Sequence, residues 1–129
     1  MTPTDILRKW KTIAVVGLSP KKFRPSYGVS EYMLSQGYTI IPVNPGHSEI
    51  LGQTCYRRLE DIPTPFEIVN IFRRSEEVGP IVDSAIALGA RVVWMQEGIE
   101  HIDAAAKARA AGLEVVMDRC ILKEHRKLC

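Results

Sequence analysis

The 129-residue sequence lacks several features that would assign a protein to a class directly. It has only three cysteines, Cys55, Cys120 and Cys129, and an odd number at wide spacing fits neither a disulfide framework nor a zinc site. No apolar run approaches the length of a membrane span, and the opening segment MTPTDILRKW lacks the apolar region of a signal peptide. We therefore expect a soluble cytoplasmic protein with no metal site and no membrane partner.

The chain also lacks a strong charge of one sign. Its net charge of +2 is too small to indicate general nucleic-acid binding, and it contains no basic helix. Its 46% hydrophobic and 25% charged content is ordinary for a globular protein. The length is enough for one hydrophobic core but not for a second domain with separate chemistry, so residues 1–129 are expected to form a single domain.

Short apolar runs alternate with helix-spaced segments along the whole chain. Strands are predicted over 13–16, 38–44, 67–72, 91–96 and 114–118, with a minor strand over 53–56. Helices are predicted over 4–10, 26–36, 76–88 and 103–111, with a helical turn over 59–62 and a short helix or frayed tail over 121–129. Ser26 and Ser75 are the expected N-caps of the second and third helices, and Gly37 and Gly89 are expected to end those helices.

This alternation predicts an α/β fold, a single Rossmann-like doubly wound parallel sheet of about five main strands. We expect the main strands in the order 3-2-1-4-5, with the second strand leaving the ladder near Asn44 and Pro45. Open sheets of this kind bind ligands at the carboxyl ends of their strands. Six cations follow those ends and predict a positive rim suited to a polyanion: Lys21, Lys22, Arg24, Arg73, Arg74 and Arg119.

Residues 12–26 are expected to organise the ligand site. They read as a buried strand, a turn at Gly17 and the start of a helix, an arrangement that presents backbone N–H groups to phosphate. The G-x-G-x-x-G pattern of dinucleotide-binding domains is missing, because Ser19 replaces its second glycine. No acid follows the second strand, which argues against NAD and less firmly against NADP. The basic loop suits a ligand with more phosphate than NAD.

Six motifs in order resemble those of the small stand-alone coenzyme A-binding proteins. The motifs are GLSPKKFRPS (17–26), PVNP (42–45), LGQTCY (51–56), VNIFRR (69–74), VVWMQEG (92–98) and VMDRC (116–120). These proteins are similar in fold to the N-terminal domain of the succinyl-CoA synthetase alpha subunit. The resemblance covers nearly the whole chain and implies that its cofactor is coenzyme A.

The resemblance also implies which residues contact the cofactor. Its phosphates and ribose are expected against Gly17, Ser19, Arg24, Pro25 and Ser26. The adenine is expected against Val43, Asn44 and Pro45. A further part of the nucleotide site is expected at Ile71, Phe72 and Arg73, and the pantetheine arm is expected to pass Gln96 and Gly98. Glycine permits close approach of the ligand, and arginine can donate two hydrogen bonds to phosphate.

The sequence predicts no catalytic residue. The synthetase subunit carries its phosphorylated histidine in another domain, and His47, His101 and His125 have no catalytic partner at a suitable spacing. Cys120 follows the fifth strand beside Arg119, a cation that favours thiolate. Since coenzyme A ends in a thiol, we hypothesise that Cys120 forms a mixed disulfide with it.

Three functions remain open from the sequence. The first is a non-catalytic module that binds coenzyme A or an acyl-CoA, as a carrier, a sensor or the partner of an acyl-CoA enzyme. The second is an NAD(P)-binding oxidoreductase-like domain with a divergent phosphate loop. The third is a purely structural subunit with a vestigial pocket. Titration with the corresponding nucleotides distinguishes them.

Overall fold

A parallel five-stranded sheet lies at the centre of the computed structural model, which describes residues 1–128. The strands are β1 (Thr12–Val16), β2 (Thr39–Val43), β3 (Glu49–Ile50), β4 (Gln53–Thr54), β5 (Ile68–Ile71), β6 (Val92–Met95) and β7 (Glu114–Val116). The sheet has the order β2-β1-β5-β6-β7, while β3 and β4 form a small antiparallel pair. Nearly all residues of β1, β2, β5 and β6 are buried, as expected for parallel strands covered on both faces.

Helices cover both faces of this sheet, which confirms the doubly wound, Rossmann-like fold. The helices are α1 (Pro3–Lys9), α2 (Pro25–Ser35), α3 (Val78–Ala87), α4 (Ile102–Ala110) and α5 (Ile121–Arg126). Apolar residues of α3 and α4 pack on one face, and those of α1, α2 and α5 pack on the other. Short 3-10 turns span Leu59–Asp61 and Ser75–Glu77. Within residues 1–128, no helix is long and apolar enough to cross a membrane.

Most predicted elements are confirmed to within two residues at each end. The segment after β7 forms the short helix α5 over most of its length, but Cys129, its last predicted residue, lies outside the described residues. The predicted departure of the second strand from the ladder is also confirmed, because β2 ends at Val43.

The predicted strand order 3-2-1-4-5 is wrong. The third main strand, β5, pairs with β1 from Ile13↔Ile68 to Val16↔Ile71, so the five main strands run 2-1-3-4-5. The position outside β2 holds only an isolated parallel bridge between Val43 and Tyr56. The proline-rich segment between β2 and β5 contains only two-residue strands, so it supplies no full strand for that edge.

The two predicted serine caps are also wrong. Helix α2 begins at Pro25, which suits the first helical position because proline has no N–H to satisfy there. Ser26 therefore lies inside the first turn, and its Oγ accepts a hydrogen bond from the Ser19 N–H at 3.0 Å. Ser75 starts a 3-10 turn before α3, and its Oγ accepts from the Glu100 N–H at 3.1 Å. The Ser26 hydroxyl thus holds the preceding loop, and the Ser75 hydroxyl connects segments distant in sequence, instead of each capping a helix.

Candidate functional site

Two adjoining clefts open at the carboxyl ends of β1, β2 and β5. The loop cleft, of about 330 Å³, is lined by Gly17, Ser19, Lys21, Arg24, Pro25, Ser26, Asn44, Phe72 and Arg73. The side cleft, of about 430 Å³, is lined by Val16, Val43, Pro45, Arg57, Arg58, Leu59, Glu60, Arg73, Glu77, Pro80, Ile81 and Ser84. Arg73 lines both clefts, so the two clefts meet at this side chain.

Gly17 fixes the floor of the loop cleft. Its φ of 90° lies in the region that favours glycine, and its N–H donates to the Val43 carbonyl at 2.9 Å. A Cβ here would collide with the Phe72 carbonyl oxygen and would lie 3.3 Å from Nε of Arg73. The absence of a side chain therefore lets the ends of β1 and β5 meet and places the Arg73 guanidinium beside Gly17.

The loop that follows Gly17 is held by side-chain hydrogen bonds. The Ser19 N–H donates to Oγ of Ser26, and the Lys21 N–H donates to Oγ of Ser19 at 3.1 Å. Nδ2 of Asn44 donates to the Leu18 carbonyl at 2.9 Å and ties the loop to the end of β2. Each serine hydroxyl acts as an acceptor in these bonds, so its own proton remains available to a ligand. In the first turn of α2, Pro25 has no N–H and the Tyr27 N–H donates to the Arg24 carbonyl at 3.0 Å, so only the Ser26 N–H is left without a backbone acceptor.

Cations without ionic partners converge on the two clefts. Among residues 1–128, no carboxylate lies within ion-pair distance of Lys21, Arg24, Arg57 or Arg73. Their sequence neighbours Arg58 and Arg74 are paired instead, with Asp61 at 3.3 Å and with Glu76 and Glu77 at 3.6 Å. The charge left to act on a ligand in these clefts is therefore positive.

Two acids of the side cleft have local partners. The carboxylate of Glu77 accepts from the Arg74 N–H at 3.2 Å and lies beside the Arg74 guanidinium. A hydrogen bond from Ser84 lowers the pKa of the Glu60 carboxyl, so this group stays ionised and directed at α3. Both carboxylates are thus engaged by the protein, which limits their repulsion of an anionic ligand.

The structure brings together most of the residues predicted to contact the cofactor. Eight of them line the loop cleft: Gly17, Ser19, Arg24, Pro25, Ser26, Asn44, Phe72 and Arg73. Val43 and Pro45 line the side cleft, where Arg73 joins them. Ser26 is buried and Arg24 is exposed, so the former supports the loop while the latter is free to move toward a ligand. Residues from three strand ends thus form one continuous surface.

Four predicted residues lie outside both clefts. Ile71 is fully buried in the hydrophobic core, and the Gln96 side chain is buried with its Oε1 accepting from the Ile121 N–H at 3.0 Å. The Gly98 N–H donates to Oδ1 of Asp118 at 2.6 Å. Cys120 is half-buried at the start of α5. Gln96 and Gly98 follow β6, and Cys120 follows β7, so all three lie at the carboxyl ends of strands beyond β5 in the sheet.

Sequence reasoning missed the contribution of Arg57 and of α3 to the side cleft. A signal for Arg57 exists, because it follows Tyr56 in the same way that Arg73 follows β5. Tyr56 pairs in parallel with Val43, so Arg57 emerges at the ligand edge of the sheet. The predicted minor strand over 53–56 does end at Tyr56, but its pattern does not indicate that Tyr56 pairs with β2. The α3 residues Ile81 and Ser84 face the cleft through packing that no local pattern specifies.

Comparisons with known proteins agree with this fold. YneT, an uncharacterized protein of Bacillus subtilis (strain 168), is 41% identical over 121 residues, which cover 94% of this chain and 90% of YneT. A hypothetical protein from Pyrococcus horikoshii OT3 superposes with a TM-score of 0.94 at 41% identity, over 99% of this chain and 92% of that one. The Thermus thermophilus protein cell-free ID.343 superposes with a TM-score of 0.93 at 34% identity, over 100% of both chains. The model of the CoA binding domain family matches residues 11–126, and the chain belongs to this family.

Proposed function

We propose that the protein binds coenzyme A or an acyl-CoA across the loop cleft and the side cleft, as a non-catalytic binding module. The observation that carries this proposal is the convergence of Lys21, Arg24, Arg57 and Arg73, all without ionic partners, on two clefts that share Arg73. Coenzyme A carries a diphosphate and a further phosphate on its ribose, and such a ligand needs several cations in one place. Membership of the CoA binding domain family supports the same ligand.

The diphosphate is assigned to the loop cleft. There Ser26, at the start of α2, offers its backbone N–H, and Ser19 and Ser26 offer hydroxyl protons. Arg73 lies beside Gly17, so its guanidinium can donate two hydrogen bonds to phosphate oxygens at the junction of the clefts. Arg24 is exposed on the same loop, and its guanidinium lies 5.5 Å from the centre of the Phe23 ring. It can therefore turn toward the phosphates without breaking an ion pair.

The adenine is assigned to the side cleft. Val43 and Pro45 form an apolar wall at the end of β2, and Ile81 faces them from α3. A flat aromatic base buries its faces well against such side chains. The pantetheine arm then leaves the loop cleft toward the ends of β6 and β7, where Gln96, Gly98 and Cys120 lie. The proposed ligand thus follows the edge of the sheet along its length.

We assign binding and no reaction to this site. His101 is the N-cap of α4 and accepts a hydrogen bond from the Ala104 N–H. His125 is buried in α5, where its Nδ1 lies 2.8 Å from the Tyr32 hydroxyl. His47 is exposed in the turn after β2. Near the proposed pantetheine path, Glu97 is held by Lys123 at 2.8 Å. A carrier or sensor of this kind would act in the cytoplasm with an acyl-CoA enzyme as its partner.

Calorimetric titration with coenzyme A, acetyl-CoA, NAD and NADP tests the proposal. We expect the two CoA nucleotides to bind and NAD and NADP to bind far more weakly. Arg73→Gln should weaken CoA binding roughly 10- to 100-fold, the range for losing a charged hydrogen-bond donor. Arg91→Gln is the matched control. Arg91 is an exposed arginine directly before β6, so it lies at the amino ends of the strands, away from both clefts.

Two outcomes would overturn the proposal. Tighter binding of NADP than of coenzyme A would favour an NAD(P)-binding domain. Absence of binding by all four nucleotides would favour a structural subunit with a vestigial pocket. Thermal unfolding with and without ligand gives an independent readout, since a ligand that binds only the native state raises its apparent stability.

A further inference from the structure

We infer that Arg57 binds the ribose 3′-phosphate of coenzyme A and makes the site select coenzyme A over 3′-dephospho-CoA. This inference rests on the function proposed above and assigns a specificity role within it. Arg57 lines the side cleft together with Arg73, at the ligand edge of the sheet.

The backbone before Arg57 is firmly placed. The Tyr56 N–H donates to the Pro42 carbonyl at 3.0 Å, and the Asn44 N–H donates to the Tyr56 carbonyl at 2.8 Å. These two bonds form a parallel bridge to β2, so Arg57 emerges beside Asn44 and Pro45. A cation held in this way lines the side cleft together with Pro80, Ile81 and Ser84 of α3.

The charges around Arg57 leave it free for a ligand. Its neighbour Arg58 is paired with Asp61 at 3.3 Å, whereas no carboxylate among residues 1–128 lies within ion-pair distance of Arg57. The two acids of the cleft, Glu60 and Glu77, are engaged by Ser84 and Arg74. A guanidinium that is exposed and unpaired keeps its planar set of donors for a phosphate group.

The shape of the ligand determines which phosphate Arg57 meets. With the adenine against Val43 and Pro45 and the diphosphate in the loop cleft, the ribose lies where the clefts join, near Arg73. The 5′-oxygen of the ribose leads into the loop cleft. The 3′-oxygen lies on the same ring but outside that path, so its phosphate is directed toward the mouth of the side cleft, where Arg57 stands.

The test compares coenzyme A with 3′-dephospho-CoA by calorimetric titration of the wild-type protein and of Arg57→Gln. We expect the wild type to bind coenzyme A more tightly than 3′-dephospho-CoA, by roughly 10- to 100-fold. Arg57→Gln should lower the affinity for coenzyme A by most of that factor and leave the affinity for 3′-dephospho-CoA within about threefold. Arg57→Lys keeps the charge but loses the planar pair of donors, so its affinity for coenzyme A should lie between those of the wild type and of Arg57→Gln.

Arg91→Gln serves as the control for a general loss of positive charge and should leave the ratio of the two affinities unchanged. If Arg57→Gln weakened the binding of both nucleotides equally, or left the ratio of the two affinities unchanged, the assignment of Arg57 would be overturned while the proposed function stands. Failure of the wild type to bind either nucleotide would instead overturn the proposed function itself. Thermal unfolding of each variant without ligand confirms that the fold is kept.

Discussion

The carbonyl oxygen of Phe72 occupies the space that a side chain at Gly17 would need. Gly17 also has a φ of 90° and donates its N–H to Val43, so it connects the ends of three neighbouring strands. The Phe72 N–H completes the arrangement by donating to the Val16 carbonyl at 2.8 Å. The loop cleft therefore begins at a point where the backbone itself forms the binding surface.

Gly17→Ala is expected to destabilise the protein and to disrupt the site. A left-handed backbone costs a non-glycine residue about 1–2 kcal/mol, and forced overpacking adds about 1–3 kcal/mol. We expect the free energy of unfolding to fall by about 2–5 kcal/mol, the sum of these two ranges. Urea denaturation followed by circular dichroism measures this change, and calorimetry should show loss of CoA binding.

Gly28→Ala is the matched control. Gly28 lies within α2, and a Cβ built there meets no atom within 4 Å. Alanine in a helix is favoured over glycine by about 0.8–1 kcal/mol, so this variant should be slightly more stable than the wild type. Similar losses of stability in the two alanine variants would show that Gly17 has no special role.

The local part of the site could be predicted from the sequence, whereas its distant part could not. A buried strand, Gly17 and a helix start follow one another in the chain, so their pattern directly predicts the segment that lines the loop cleft. The wall of the side cleft combines Val43, Arg57 and Ile81, which lie on three separate segments. Their proximity depends on how residues 57–60 pack beside α3, and no periodicity in either segment specifies that contact.

Ser26→Ala is expected to weaken CoA binding more than it weakens the fold. The Ser26 hydroxyl is buried and accepts from the Ser19 N–H, so its loss leaves a loop amide unpaired. We expect a stability loss of about 1 kcal/mol, the low end for such a group because the loop amide can reach water. The affinity for coenzyme A should fall roughly tenfold, since a hydroxyl donor is lost and the loop is less ordered.

Ser35→Ala provides the comparison for this prediction. Ser35 is an exposed residue of the same helix, and its hydroxyl donates only to the Tyr32 carbonyl at 2.6 Å. Its replacement should leave CoA affinity unchanged. An unaltered affinity in Ser26→Ala would contradict the assignment of Ser26 to the phosphate site.

The strand order could not be predicted because parallel strands have similar sequences. Every main strand is an apolar run, and its sequence contains no feature that identifies the strands beside it in the sheet. Pro42 is the exception, since a residue without an N–H is expected at a sheet edge, and β2 is indeed the edge strand of the five-stranded sheet. The Pro42 carbonyl still accepts from the Tyr56 N–H, so the edge is partly covered by the segment that presents Arg57.

The stability of the fold is expected to fall as the pH drops from about 6.5 to about 5 because of His125. Burial lowers the pKa of His125 below its ordinary value of 6.5, and Lys11 adds to the effect. The folded state therefore resists protonation that the unfolded chain accepts, so stability is full above pH 6.5 and is lost as the pH falls below it. Urea denaturation midpoints across this range measure the trend.

The packing around His125 defines the control for that experiment. Its Nδ1 lies 2.8 Å from the Tyr32 hydroxyl, and its ring meets those of Tyr32 and Tyr38 edge-on. His125→Gln keeps a polar group for Tyr32 but does not titrate, so its midpoint should depend less on pH. The carboxyls of Asp5 and Glu60, whose pKa values are lowered by hydrogen bonds from Thr2 and Ser84, stay ionised in this range. An equal pH dependence in His125→Gln would show that other groups cause the loss.

Cys120 is expected to exchange with coenzyme A disulfide, and Cys55 is not. Cys120 is half-buried at the start of α5 on the ligand edge, whereas Cys55 is buried and its burial raises the pKa of its thiol. In the exchange, the Cys120 thiolate attacks one sulfur of the disulfide, a Cys120–CoA disulfide forms and one coenzyme A thiolate leaves. Intact mass spectrometry detects the product, which dithiothreitol should remove.

Three comparisons decide whether this exchange depends on the site, each made in a Cys129→Ser background so that the third cysteine gives no adduct of its own. In that background Cys55→Ser should give the same adduct as the parent protein, and Cys120→Ser should give none. Oxidised glutathione at the same concentration should react with the wild type more slowly, because it lacks the nucleotide that positions the disulfide at the sheet edge. An adduct that persists in Cys120→Ser, or equal rates with the two disulfides, would mean that the pantetheine arm does not end at Cys120.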